Sequence, residues 1–246
     1  YELLALTALI LGILAHQMIF RNFAEGRKTF NAGRPPGRSI ATPVAGMSLR
    51  EALTTYRFWL ISVIVFFVSS AILGGFVHLA AFASDEGLGT DIAARAAGFV
   101  GLGLVISRVG VGFILDWVFA PIVGMVAFAF GAVGFFILVS DASTVPAYLL
   151  LAAVLLGVST GTEGDLIPYW TRRYFGNRAF GSIYGTLFGI ATLGAASCPY
   201  IYGIAFGHFK SYTQIHQISG LVCAVCAAAI LFLGKYPGSF SAKKRD

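Results

Sequence analysis

The chain is written in long apolar runs separated by short polar stretches, and seven of the runs are long enough to cross a bilayer. They cover Leu3 to Phe20, Phe58 to Ala83, Ala93 to Leu115, Ile122 to Val139, Ala147 to Tyr169, Gly181 to Phe206 and Ile218 to Leu233. Apolar runs of about 20 residues read as spanning helices, because only helices or closed barrels satisfy their own backbone in hydrocarbon. No stretch shows the alternation of a barrel strand. The pattern predicts an all-α membrane protein, a multi-helix transmembrane bundle of seven spans.

The polar stretches partition it. Residues 1–20 hold the first span, and residues 21–57, rich in Arg, Gly and Pro (GRPPGRS), have too few apolar positions to fold alone and predict a flexible linker. The linker closes with Ser48-Leu-Arg-Glu51, a capping box that predicts a helix starting just before the second span. Residues 58–234 form a six-helix bundle and residues 235–246 a basic tail.

Composition supports the membrane class. The 246 residues are 57% hydrophobic and 11% charged, with mean hydropathy +0.81, against roughly 25% charged residues in a soluble domain. The formal charge of +6 raises nucleic acid as a partner, but position decides otherwise. Fourteen of the 17 Lys and Arg lie in the linker, in the TRRYFGNR turn and in the tail, whereas Arg95 and Lys210 fall on the other side. That asymmetry predicts a multi-pass protein of the cell membrane with linker and tail cytoplasmic, and it excludes a polyanion as the reason for the charge. With no leader at the start, the first span then enters from outside, as expected of a piece of a longer chain.

A few polar residues interrupt the spans. Arg108 lies thirteen residues from Arg95 and eight from Asp116, about 20 Å and about 12 Å of helical rise, which places it within hydrocarbon. A charge there costs roughly 2.5 kcal/mol or more, so it faces a partner, a cavity or a substrate path. Its planar fork matches a carboxylate bidentately, and the alternative is a structural pair with an acid of a neighbouring helix. Glu163 lies at matching depth and is the natural partner, either as a proton-loading carboxyl or as a permanent interhelical salt bridge. Asp165, two residues on, falls on another face and suits a gate or loop contact. Pro168 predicts a bend beside these acids or an ordinary helix-end proline.

His78 titrates in the range of a proton sensor, though a hydrogen-bonded wall residue is the plainer role. Tyr184, Phe188 and Thr192 recur every four residues, lining a cavity or simply packing. Gly181, Gly185 and Gly189 share that spacing and predict a close helix contact. Cys223 and Cys226 make a C-x-x-C inside the last span, with no further ligand nearby, and read as packing. Neither a P-loop, a nucleophile elbow nor an H-E-x-x-H is present, so the sequence points away from an enzyme and calls for no cofactor.

Taken in order, these features resemble the C-terminal half of a major facilitator superfamily transporter preceded by helix 6 of its N-terminal half. Gly112-Phe-Ile-Leu-Asp116 looks like that family's G-x-L-x-D-R loop motif, with Trp117 where an Arg is common. SLREALTTYRFW, Ser107-Arg108 and RYFGNRAFGSIYG (Arg173 to Gly185) are most similar to monocarboxylate transporters and oxalate/formate antiporters. The resemblance implies a secondary transporter for a small organic anion, working by symport with a proton or exchange with a counter-anion. It implies that Arg108 binds the substrate carboxylate and Glu163 couples protons, and that Asp116, Asp165, Arg172, Arg173 and Arg178 make gating contacts. The position matching the antiporters' second cation is Ala191, which tilts the expectation to a monocarboxylate. It also implies a missing N-terminal half as partner, alongside membrane lipid. The competing class is a non-transporting receptor, a scaffold relative or an inactive transporter half.

Overall fold

The computed structural model describes residues 45–237, within a unit running from Pro43 to Asp246. The expected span from Leu3 to Phe20, most of the linker and the end of the tail lie outside the described residues.

Helix α1 is Leu49–Leu53, α2 Tyr56–Asp85, α3 Gly89–Ile114, α4 Ala120–Val139, α5 Pro146–Phe175, α6 Phe180–Phe209 and α7 Thr213–Ala229, which continues as a 3-10 turn over Ile230–Leu233. Six of them, α2 to α7, are long and apolar enough to cross a membrane, in the places the hydrophobic runs predict. Each helix starts one to five residues before its apolar run because the backbone stays helical into the flanks.

The capping box forms as expected. The Ser48 N–H donates to Glu51 Oε2 at 2.7 Å and the Glu51 N–H to Ser48 Oγ at 3.3 Å. The Ser48 N–H first and the Ser48 hydroxyl second, with help from Arg178, hold the Glu51 carboxyl below its ordinary range. A lowered carboxylate stabilises the box above the ordinary range and loses that contribution as pH falls through the lowered value. The helix it opens, however, is a separate turn and not the start of the first described span. It stops at Leu53, and Thr55 begins α2 afresh by accepting the Phe58 N–H at 3.3 Å.

Small residues set the packing. α3 lies along α5, α2 along α6, and α4 between α5 and α7, with α2 also touching α3, α5 and α7. A Cβ at Gly103 of α3 would collide with the Val154 carbonyl, one at Gly157 of α5 with the Val100 carbonyl, and one at Gly194 of α6 with the Phe66 carbonyl. Backbones meet at these points. The expected glycine row does not: Gly181, Gly185 and Gly189 face open space among the described residues, since four-residue spacing marks a helix face without saying which face is covered. α3 and α6 are the least buried of the six.

At the end carrying Arg57, Arg173 and Arg178, the segment before α1 is pinned to the turn after α5. Gly46 forms an antiparallel bridge with Gly176; the Met47 N–H donates to the Phe175 carbonyl at 2.7 Å and the Asn177 N–H to the Ala45 carbonyl at 3.0 Å. Gly46 has φ +148°, and a Cβ there would lie 2.8 Å from the Phe175 carbonyl and 2.9 Å from the Arg178 N–H nitrogen. Gly46→Ala is therefore expected to lower stability by about 1–3 kcal/mol, read as a lower thermal midpoint in detergent. An unchanged midpoint would show that the bridge bears no strain.

Candidate functional site

Arg108 is placed by the glycine contacts of α3 on α5. Ser107 immediately before it and Leu104 one turn before it lie against Gly161, and its own guanidinium reaches Gly164, where a Cβ would stand 3.1 Å from Nη2. The glycine between Glu163 and Asp165 thus makes room for the arginine. Nη1 donates to Asp165 Oδ1 at 3.3 Å. The Arg108 side chain remains 54% exposed, so a single charge-assisted contact holds one arm and leaves donors on the open side of the bundle.

Glu163 is not the partner of Arg108. It is buried, and Ser69 of α2 donates its hydroxyl to Oε1. Depth along the helix matches for both acids, but residues two apart on a helix point about 200° from each other, and rotation decides which acid meets α3. No Lys, Arg or His among the described residues forms an ion pair with Glu163. One turn earlier on the same helix, the buried Ser159 hydroxyl lacks a hydrogen-bond partner, and Thr162 bonds the Val158 carbonyl at 2.8 Å.

His78 belongs to a different cluster, at the end opposite the arginines. It stacks on Tyr202 with ring centroids 5.1 Å apart, and its Nδ1 lies 3.5 Å from the Tyr212 hydroxyl. His216, fully buried and without a hydrogen-bond partner on either nitrogen, packs against Phe82, Tyr202 and Tyr212 in the same cluster. His216 and Ser69 were not legible as site residues. The one signal in the sequence is a histidine two residues before the last predicted span, on the same side of the membrane as His78.

Tyr184 and Phe188 stack along α6, 5.7 Å between centroids, continuing from Phe180, and Thr192 bonds the Phe188 carbonyl. The ring and hydrogen-bond contacts of these three stay within α6 and do not reach Arg108. Apart from Asp165, which sits at Arg108, the residues expected to gate share one end of the bundle without forming one network. Arg178 pairs with Glu51 at 3.7 Å; Arg173 donates to the Tyr169 hydroxyl at 3.0 and 3.2 Å and lies over the Tyr236 ring; Arg172 and Asp116 are exposed. Tyr169 in turn donates to the Leu115 carbonyl at 3.0 Å, which ties the end of α3 to α5. α5 is helical through Pro168 to Phe175. Cys223 and Cys226 are free, buried thiols, as the packing role required.

Neither the protein-family models nor the curated proteins give a match to the chain. What its fold defines is a class: a helical, membrane-embedded bundle. Within that class its distinguishing site is an arginine of α3 held across a glycine contact by an aspartate of α5.

Proposed function

We propose that the protein is a secondary active transporter of the major facilitator type that moves a small organic anion, a monocarboxylate first, by alternating access. The observation that carries this reading is Arg108, a guanidinium within a spanning helix, tied at one nitrogen and otherwise open. A carboxylate arriving there meets a fixed planar donor that stays protonated in a poorly solvated site. Asp165 holds the arginine in place while no anion is bound. The side chains of Tyr184 and Phe188 on the poorly covered α6 would supply apolar wall for the rest of the substrate. The alternating arginine loops support a cytoplasmic position for the linker end and the α5–α6 turn.

Glu163 is the proton carrier in this reading. A buried carboxylate without a cation is expensive, and taking up a proton removes the charge. Its hydrogen-bond partner is one hydroxyl, and the neighbouring α7 offers thiols, a poor set for an alkali cation, which takes hard oxygen ligands. Glu163→Gln is expected to keep the fold and the substrate affinity while making uptake insensitive to a pH gradient. Uptake that still follows the gradient would assign the proton elsewhere.

The test of the function itself is a screen of formate, acetate, lactate, pyruvate and oxalate with the full-length protein in liposomes, with and without an inward proton gradient. Saturable uptake of a monocarboxylate above protein-free vesicles is expected. No uptake of any of them in either condition would overturn the proposal.

A further inference from the structure

At the end of the bundle opposite the arginines, a polar pocket of about 370 Å³ opens between the ends of α2 and α6, with Asp85, Glu86 and Lys210 in its wall. Phe82 and Tyr212 also line it, and both belong to the histidine cluster. The Tyr212 hydroxyl lies 3.5 Å from His78 Nδ1, and the Tyr212 ring stacks on His216 with centroids 6.0 Å apart. Two carboxylates therefore stand close to a half-buried and a fully buried histidine.

From His216 the buried face of α7 continues toward the middle of the bundle as Ser219 and Cys223, a rise of about 10 Å. The Ser219 hydroxyl lies 2.9 Å from that of Tyr202, the ring that stacks on His78. Cys223 meets α5 at Ser159: its Sγ and the Ser159 Oγ are 3.7 and 2.9 Å from the point where a Cβ on Gly131 of α4 would stand. Ser159 is one turn from Glu163, whose charge also acts on Cys223 and Cys226. A seam of imidazole, hydroxyl and thiol groups thus runs from the pocket to Glu163, which is buried in the middle of the bundle.

Among the described residues, four have a buried side-chain polar atom without a hydrogen-bond partner, and three of them, His78, His216 and Ser159, lie on this seam. Unpaired buried polar atoms are costly, and polar gaps between them are where proteins hold water. Neighbours one helical turn apart are separated by about 5–6 Å, a distance that one bridging water covers.

We infer, on the reading of Glu163 as the proton carrier, that this seam is the route by which protons reach it. They enter at the pocket of Asp85 and Glu86 and pass through His216, Ser219 and Ser159, with water between these groups. Each group takes one proton from the pocket side and gives one on, ending in its starting state. The net change is one O–H bond formed at the Glu163 carboxylate and one proton lost from the pocket. Glu163 itself faces the Ser69 hydroxyl of α2 and the two thiols of α7, whereas α4 has no ionisable residue and Arg108 of α3 is bonded to Asp165.

The rate at which Glu163 takes up a proton after a downward pH jump tests the route, with the full-length protein in detergent. Infrared spectroscopy follows the C=O stretch of the protonated carboxyl, assigned by its absence in Glu163→Gln. His216→Leu removes the imidazole without breaking a hydrogen bond, and Gly131→Ala puts a methyl 2.9 Å from Ser159 Oγ, where a movable side chain has to give way. Both variants are expected to slow the rise by roughly tenfold or more, as loss of a positioned proton-transfer group does. Both should still reach the wild-type amplitude, which doubles as the check on folding. His208→Leu, at an exposed histidine of the same end, should leave the rate unchanged. A wild-type rate in either His216→Leu or Gly131→Ala would overturn the route and leave the carrier standing. A wild-type protein whose band ignores pH would overturn the carrier, and the route with it.

Discussion

Replacing Arg108 by lysine in the full-length protein is expected to reduce carboxylate uptake by roughly 10- to 100-fold while leaving insertion and folding intact. The magnitude follows from losing a charge-assisted hydrogen bond of about 1.5–3 kcal/mol at the anion. Lysine keeps the positive charge, so Asp165 does not become an unpaired carboxylate inside the membrane, which removal of the charge altogether would cause. What lysine lacks is the second donor in a fixed plane: an ammonium that satisfies Asp165 has no rigid arm left for the substrate. Uptake by the lysine variant at the wild-type rate, measured in liposomes at matched protein density, would mean that Arg108 is only the structural partner of Asp165.

The second large effect is expected at Gly157. A Cβ there collides with the Val100 carbonyl, and a valine cannot be accommodated without parting α3 from α5 along the contact that also includes Gly103 and Gly161. Overpacking at a backbone contact costs about 1–3 kcal/mol, and here the strain falls on a rigid carbonyl and not on a movable side chain. Gly157→Val should lower the thermal midpoint in detergent. It should also break the 3.3 Å contact of Arg108 with Asp165, so that substrate binding falls with it. Gly101→Ala, on the same helix α3 as Gly103 but with open space around it, is the matched control and should be neutral. If both variants melt with the wild type, α3 is not held by this contact.

These two sites show what was and was not legible in the sequence. Hydropathy located the described spans to within a few residues because burial in lipid is set by composition along the chain, and the Ser48 and Glu51 box formed because both its partners are local. Arg108 stood out as a charge in an apolar run. Its partner did not, because linear depth leaves rotation about the helix axis undetermined, and Glu163 and Asp165 differ mainly in rotation. The same limit applied to glycines. Gly103, Gly157 and Gly194 touch backbone while the regularly spaced Gly181, Gly185 and Gly189 do not, and only the positions of neighbouring helices distinguish them. His216 escaped notice because a histidine pair on α2 and α7 is brought together by packing across the bundle, not by spacing.

The bridge between Gly46 and Gly176 has a mechanical consequence. It fastens the strand that leads into the bundle to the turn at the foot of α5, the helix that carries Glu163, Gly164 and Asp165. Extended backbone bonded at 2.7 and 3.0 Å on both sides of the bridge does not stretch appreciably. A pull on Ala45 would therefore reach the foot of α5 through these hydrogen bonds, and the exposed Glu51 to Arg178 pair adds a second, weak link between α1 and the turn after α5. The end of the linker works as a tether, and its anchor point is the element whose register against α3 decides whether Arg108 meets its aspartate.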